Sequence, residues 1–194
     1  MPSDDEPRRM RADARDNRER VLRAARAAFA EDGTHASLNK IAQRAGVGAG
    51  TLYRHFPSMD ALLVAIIGAD VETLCARGRE LMADPSPDDA LSTWLRAVAV
   101  HATAMRGLVA TRMAAPPADG TLAACHERIL LTGEALLERA RRQGTAPAHL
   151  RIGDLLKLAN AIAWVAEQDL ADEGLLGRLI AVVDGGLRSP PATV

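Results

Sequence analysis

Aromatic residues are nearly missing from this chain: two Trp, one Tyr and two Phe in 194 residues. Nor is there any run alternating Val, Ile, Thr or Tyr long enough to make a sheet. Hydrophobic residues still reach 48%, so the core must be Ala, Leu, Val and Ile. With abundant Arg and Glu, that mixture favours helices, and the expected class is all-α. Cysteine is equally sparse. Cys75 and Cys125 make no disulfide framework, and no Cys-x-x-Cys pair offers a metal site, so both read as small buried apolar residues. No apolar run reaches the roughly 18 residues needed to span a membrane. The opening "MPSDDEPRRMRADARDNR" lacks the apolar core of a signal peptide, so a cytoplasmic protein is expected. Catalytic patterns are missing too. There is no Ser/His/Asp spacing, phosphate-cradling loop or His-x-x-x-His pair, and Asp88-Asp89 reads as charge at a helix N-terminus. Neither an enzyme nor a metal or other cofactor is expected.

What is present is unevenly placed. The net charge is −1, yet Arg8 to Phe56 holds eleven Lys and Arg against five Asp and Glu. From Pro57 onward thirteen basic residues face seventeen acidic ones. An anion-binding head on a neutral-to-acidic body fits that asymmetry, as does a solvated charged surface.

Residues 1–12 are polar, carry Pro2 and Pro7, and suggest a disordered arm. A first helix is expected from about Asp13 to Glu31, with Val21, Leu22, Ala25, Ala28 and Phe29 inward. Its arginines Arg20, Arg23 and Arg26 read as a solvated face, and Gly33 as the stop. Ser37 is the N-cap of a short helix, "LNKIAQRA", ended by a left-handed turn at Gly46. A third covers about Ala49 to Phe56, and Pro57-Ser58 opens a long fourth to about Met82. Further helical patterns occupy about 87–104, 106–114, 121–143, 151–169 and 172–187, before a tail at 189–194. The domains are therefore a head at 13–57 and a body at 58–188.

Two short helices joined by a glycine turn, with small residues at the contact, form the helix-turn-helix pattern. Its second helix enters the major groove. Gly48, Ala49 and Gly50 leave that helix's first turn almost no side-chain bulk, so its amides can approach a phosphate or base edge closely. Leu52 and Phe56, four apart, are the anchors that would hold so glycine-rich a helix. Tyr53 and His55 then project at the sides, where phenol and imidazole can donate to phosphate oxygens.

The run "RVLRAARAAFAEDGTHASLNKIAQRAGVGAGTLYRHFPSMDALL" closely resembles the DNA-binding domain of the TetR family of transcriptional regulators. That resemblance implies a three-helix head, a dimeric helical body that binds a small ligand, and repression relieved by the ligand. By position it implies that Ser37 caps helix two and touches phosphate. It assigns Thr51, Tyr53 and His55 to the recognition-helix contacts, with Arg54 between them and Lys40 and Arg44 able to reach phosphate or a base. Gly48 stands where the family usually has a capping Ser, and Met59 where a Lys normally meets phosphate. Arg8, Arg9, Arg11, Arg15 and Arg18 are expected to compensate in part. The ending "LLERARRQG" resembles the SbtR-like branch.

The body is expected to hold six helices, and the resemblance implies that the last two supply a four-helix dimer interface. Leu155, Ala159, Ile162, Ala163 and Ala166 make one candidate face; Leu176, Leu179, Ile180 and Val183 make the other. A single head reads too few base pairs, and helix-turn-helix dimers bind half-sites roughly 34 Å apart, so a homodimer on a double-stranded operator is expected. The pocket for a small apolar or amphipathic effector would draw on Trp94, Val98, His101, Met105, Met113, Leu122, Cys125 and Ile129. The alternative function is a helix-turn-helix adaptor whose body docks protein partners without a small ligand.

Overall fold

Helix-forming residues between Gly, Pro and Ser breaks produce eight α-helices and no strand among the described residues of a computed structural model. Those residues are 6–32, 35–84, 89–112, 120–169 and 171–187; the side chains of 6–14, 104–112 and Leu187 are outside the description as well. The helices are α1 (Glu6–Asp32), α2 (Leu38–Ala45), α3 (Ala49–His55), α4 (Met59–Ala83), α5 (Ala90–Arg112), α6 (Thr121–Arg142), α7 (Ile152–Gln168) and α8 (Leu175–Leu187). Two compact units emerge. The first runs to Ile67 and takes in the end of α5 from Leu108; the second runs from Gly68 to Gly107 and through α6–α8. Contacts thus divide the chain inside α4 and α5, where the sequence had suggested a boundary at Pro57.

In the first unit α1 packs on α2, and α2 on α3. The expected inward faces are buried: Val21, Leu22, Ala25, Ala28 and Phe29 from α1, then Leu38, Ile41, Ala42 and Ala45 from α2. Ser37 caps α2 from an extended backbone, its Oγ accepting the Lys40 N–H at 3.3 Å. At the far end Gly46 sits at φ 63°, the left-handed region. There the Gly46 N–H reaches Gln43 O at 3.1 Å and the Val47 N–H reaches Ala42 O at 3.0 Å. This paired closure satisfies carbonyls the helix end would orphan. Ser58 repeats the N-cap for α4, accepting the Ala61 N–H at 3.1 Å.

Two expectations are corrected here. Residues 6–12 are helical rather than the disordered arm expected at 1–12, and residues 1–5 lie outside the described residues. Pro7 lies in the first turn, where its missing N–H costs nothing, and the following Arg, Met and Ala favour helix. The expected break between 104 and 106 does not exist either. α5 is continuous to Arg112, so among the described residues five helices follow the head where six were expected. A lone Gly107 costs about 1 kcal/mol in a helix and, unlike proline, removes no hydrogen bond.

The second unit is built around Trp94, wholly buried, whose Nε1–H donates to Leu74 O at 3.0 Å. Glycines let neighbouring helices close on it. A Cβ at Gly133 would fall 2.8 Å from the Trp94 ring and 2.7 Å from Ile152. One at Gly78 would meet Thr132 at 2.3 Å. Around this lie Leu91, Leu95, Val98, Leu136, Leu137, Leu155 and Leu156. Arg139 of α6 spans the end of α4, donating to Leu81 O, Met82 O and Asp84 O at 2.6–2.8 Å. Cys75 and Cys125 are free thiols, both buried.

Candidate nucleic-acid interface

The outer surface of the helix-turn-helix begins at α3. Leu52 and Phe56 are buried, so Gly48, Ala49, Gly50, Tyr53, Arg54 and His55 are left exposed and Thr51 half-exposed. Gly48 caps the helix with backbone alone; its carbonyl accepts the N–H groups of Thr51 and Leu52 at 2.9 and 3.1 Å. The Phe56 N–H closes the other end on Leu52 O at 2.8 Å. Arg54 donates to Thr51 Oγ1 at 3.3 Å, and the Tyr53 hydroxyl lies 3.4 Å from Asn39 Oδ1, within reach of helix two.

The three glycines of "GVGAG" are not equivalent. Gly46 is required by the chain itself, since its φ is positive and an added Cβ would sit 2.8 Å from Arg20. At Gly50 nothing lies within 4 Å of an added Cβ, and at Gly48 only Thr51 Oγ1 does, at 3.9 Å. Internal packing therefore does not demand glycine at either place. The smooth, exposed first turn suits something arriving from outside.

Arg20 is the residue that pattern reading missed. Exposed as periodicity predicts, it also donates to Ala45 O at 2.6 Å and Gly46 O at 3.1 Å. Asn17 accepts from the same guanidinium at 3.2 Å. One arginine of α1 thus ties down the end of α2 at the turn. The i, i+3 pair Asn17/Arg20 was visible in the sequence; its target, twenty-five residues away, was not.

Lys40 and Arg44 are exposed on α2, as expected, but each is paired. Arg44 grips Glu31 with both terminal nitrogens, at 2.5 and 2.7 Å, and Lys40 lies 3.6 Å from Asp32. Hydrogen bonding from Arg44 holds the Glu31 carboxyl below the usual carboxylate range, and the same bond raises Arg44.

The expected pocket residues are spread among several environments. Trp94, Val98 and Cys125 are buried, with the indole N–H already spent on Leu74. Leu122 and Ile129 are half-buried, Ile129 against the core. His101 is half-buried, and desolvation lowers its pKa while the charge of Asp70 opposes the shift. Met113 lies outside the described residues, as does the side chain of Met105. An open cleft of about 400 Å³ is lined instead by the mostly charged residues Glu134, Arg141, Arg151, Asp154 and Lys157, with Ile152 and Gly153. It shares none of the expected pocket residues.

Most of the residues expected at a dimer face turn inward in their own chain. Leu155, Ala159, Ile162, Ala163 and Ile180 are buried in their own chain's core, and Leu176, Leu179 and Val183 pack against it. Ala166 is half-buried. The most apolar stripe of α7 turned inward, as the larger burial requires. Large apolar groups left exposed on these helices are Leu158, Trp164, Val165 and Val182, Trp164 at 52%. Among the described residues no helix is long and apolar enough to cross a membrane.

Comparison with known proteins agrees with this architecture. Residues 86–189, over half the chain, match the C-terminal domain of SbtR-like transcriptional regulators, and residues 21–66 match the bacterial regulatory proteins of the tetR family. The HTH-type transcriptional regulator UidR of Escherichia coli K12 is 46% identical over 72 residues. That match spans 37% of each chain, so little more than a third of UidR is covered. The crystal structure of a TetR transcription regulatory protein from Mycobacterium vanbaalenii is 34% identical, with a TM-score of 0.74 over 93% of this chain and 99% of that one. Bacillus subtilis FadR, solved in complex with stearoyl-CoA, shares the fold at 18% identity and a TM-score of 0.68, over 88% of this chain and 97% of FadR. With an exposed recognition helix, a capped glycine turn and these likenesses along its length, the chain belongs to the TetR family of DNA-binding transcriptional regulators, with an SbtR-like C-terminal domain.

Proposed function

We propose that the protein is a homodimeric repressor that holds an operator through two recognition helices and leaves it when a small apolar or amphipathic ligand binds. The observation that carries the DNA-reading surface is the uncrowded first turn of α3. Glycines that packing does not need, at Gly48 and Gly50, let the backbone come close to a phosphate or base edge. In this reading Thr51 and Arg54 read bases there, while Tyr53, His55 and Ser37 meet phosphates, Ser37 with its hydroxyl shared with the α2 cap.

Dimerisation is supported by the exposed apolar residues of α7 and α8. Leu158, Ala161 and Val165 recur at three- and four-residue spacing beside Trp164, a stripe that a second copy of the same helices would cover. Ligand response is supported by His101, a half-buried imidazole on the same helix as apolar Val98, and by FadR, whose structure holds stearoyl-CoA. A ligand that favours one of two dimer states shifts the balance by no more than its differential affinity. α4 and α5 each have residues in both compact units and connect them along the chain.

Selection of bound duplexes from a random pool, followed by a screen for compounds that release the selected sequence, tests the reading. The expected result is a two-fold symmetric site with half-sites about one helical turn apart. A pool that never enriches would defeat it.

A further inference from the structure

The charges of α2 stand opposite two exposed acids at the end of α1. α2 carries two charged side chains, Lys40 and Arg44, one helical turn apart and both exposed. Facing them are the last two residues of α1, Glu31 and Asp32. The Arg44–Glu31 grip is bidentate at 2.5 and 2.7 Å with side chains 44% and 59% exposed, and Lys40 to Asp32 is 3.6 Å. Exposed pairs contribute little to stability, the bidentate Arg44–Glu31 grip more than Lys40–Asp32. Carboxylates at a helix C-terminus also face the negative end of the helix dipole, which disfavours them there. What the acids do change is the field of the helix-turn-helix: two cations beside the recognition helix are cancelled by two anions. Attraction to the phosphate backbone is the sequence-independent part of duplex binding and scales with the cations available to phosphates.

We infer that Glu31 and Asp32 hold down this sequence-independent component, keeping Arg44 and Lys40 from adding to general duplex affinity. The inference rests on DNA binding by this head and specifies which of its cations are silent. Base-reading groups on α3 lie outside the pairs, so removing the acids raises affinity for every duplex and brings no gain in preference between sequences.

A charge-neutralising cycle tests it, with duplex binding measured by fluorescence anisotropy between 50 and 300 mM salt on a random-sequence duplex. Glu31→Gln, nearly isosteric and exposed, is expected to tighten binding by about eightfold at 0.1 M salt and steepen the log–log salt slope by about 0.9. The double variant Glu31→Gln/Arg44→Gln is expected to return both to wild-type values. Asp32→Asn and Asp32→Asn/Lys40→Gln form a second, independent cycle, and unchanged circular dichroism shows that each variant folds. An unchanged or weaker Glu31→Gln would overturn the inference. So would a double variant that binds more weakly than wild type, since Arg44 would then be meeting phosphate while paired. If the wild type binds no duplex even at the lowest salt, DNA binding itself fails and takes this inference with it.

Discussion

Gly50 separates what the fold needs from what a partner needs. Its Cβ position is empty, and it lies within a helix, where alanine is favoured by about 0.5–1 kcal/mol. Gly50→Ala is therefore expected to raise the melting temperature by about 2–4 °C. It should also weaken duplex binding roughly tenfold, by displacing a contact of the 1–3 kcal/mol class. Thermal melts and anisotropy titrations read the two effects, and a variant that gains stability without losing affinity would show that the glycine is not there for DNA. Glu31 offers a second test at this scale. Its carboxyl is lowered by hydrogen bonding from Arg44, with the arginine's charge adding to the effect. A group depressed in the folded state contributes stability above its unfolded value and loses it as pH falls through the folded one. Carbon-detected NMR titration is expected to find Glu31 below the ordinary Glu range, and Arg44→Gln should bring it back up.

Among the elements, the turn between α2 and α3 depends most on a few atoms. Gly46 must hold a left-handed backbone, and Arg20 occupies the space beside it. Gly46→Ala is expected to cost at least about 1–2 kcal/mol from the left-handed conformation alone. The midpoint of urea unfolding should fall accordingly, and an unchanged midpoint would mean that the turn relaxes without loss. The α2 boundaries, the caps at Ser37 and Ser58 and the turn at Gly46 were legible because caps and stops are local chemistry. The start of α1 and the continuity of α5 were not. Polar, proline-containing "DDEPRR" reads as loop until Pro7 is allowed in a first turn, and the gap expected at residue 105 has no proline to enforce it.

For the whole molecule, the two tryptophans report on different environments: Trp94 is wholly buried and Trp164 is half-exposed. If a second copy covers α7 and α8, Trp164→Glu would place a charge in that contact and is expected to yield a monomer by sedimentation velocity at micromolar concentration. Acrylamide should quench Trp164 more readily as the wild type is diluted, with Trp94 protected throughout. A wild type that is already monomeric at high concentration would remove the dimer from the proposal. Periodicity alone did not choose between the faces because α7 is apolar on more than one side. Burial within the chain claimed Leu155, Ala159, Ile162 and Ala163, and left Leu158, Trp164 and Val165 outside.

The order of residues alone determined the helical class, most helix ends and the recognition-helix pattern from Ser37 to Phe56, because capping, glycine stops and apolar spacing act within a few residues. Only the tertiary structure decided which side of α7 is core, that Arg20 secures the turn, and that Arg44 and Lys40 pair with acids of α1. Those outcomes depend on partners thirteen to several dozen residues away along the chain for Arg44, Arg20 and the α7 core. Even the eight-residue step from Lys40 to Asp32 crosses from one helix to another. No local pattern encodes such distances; packing brings them together.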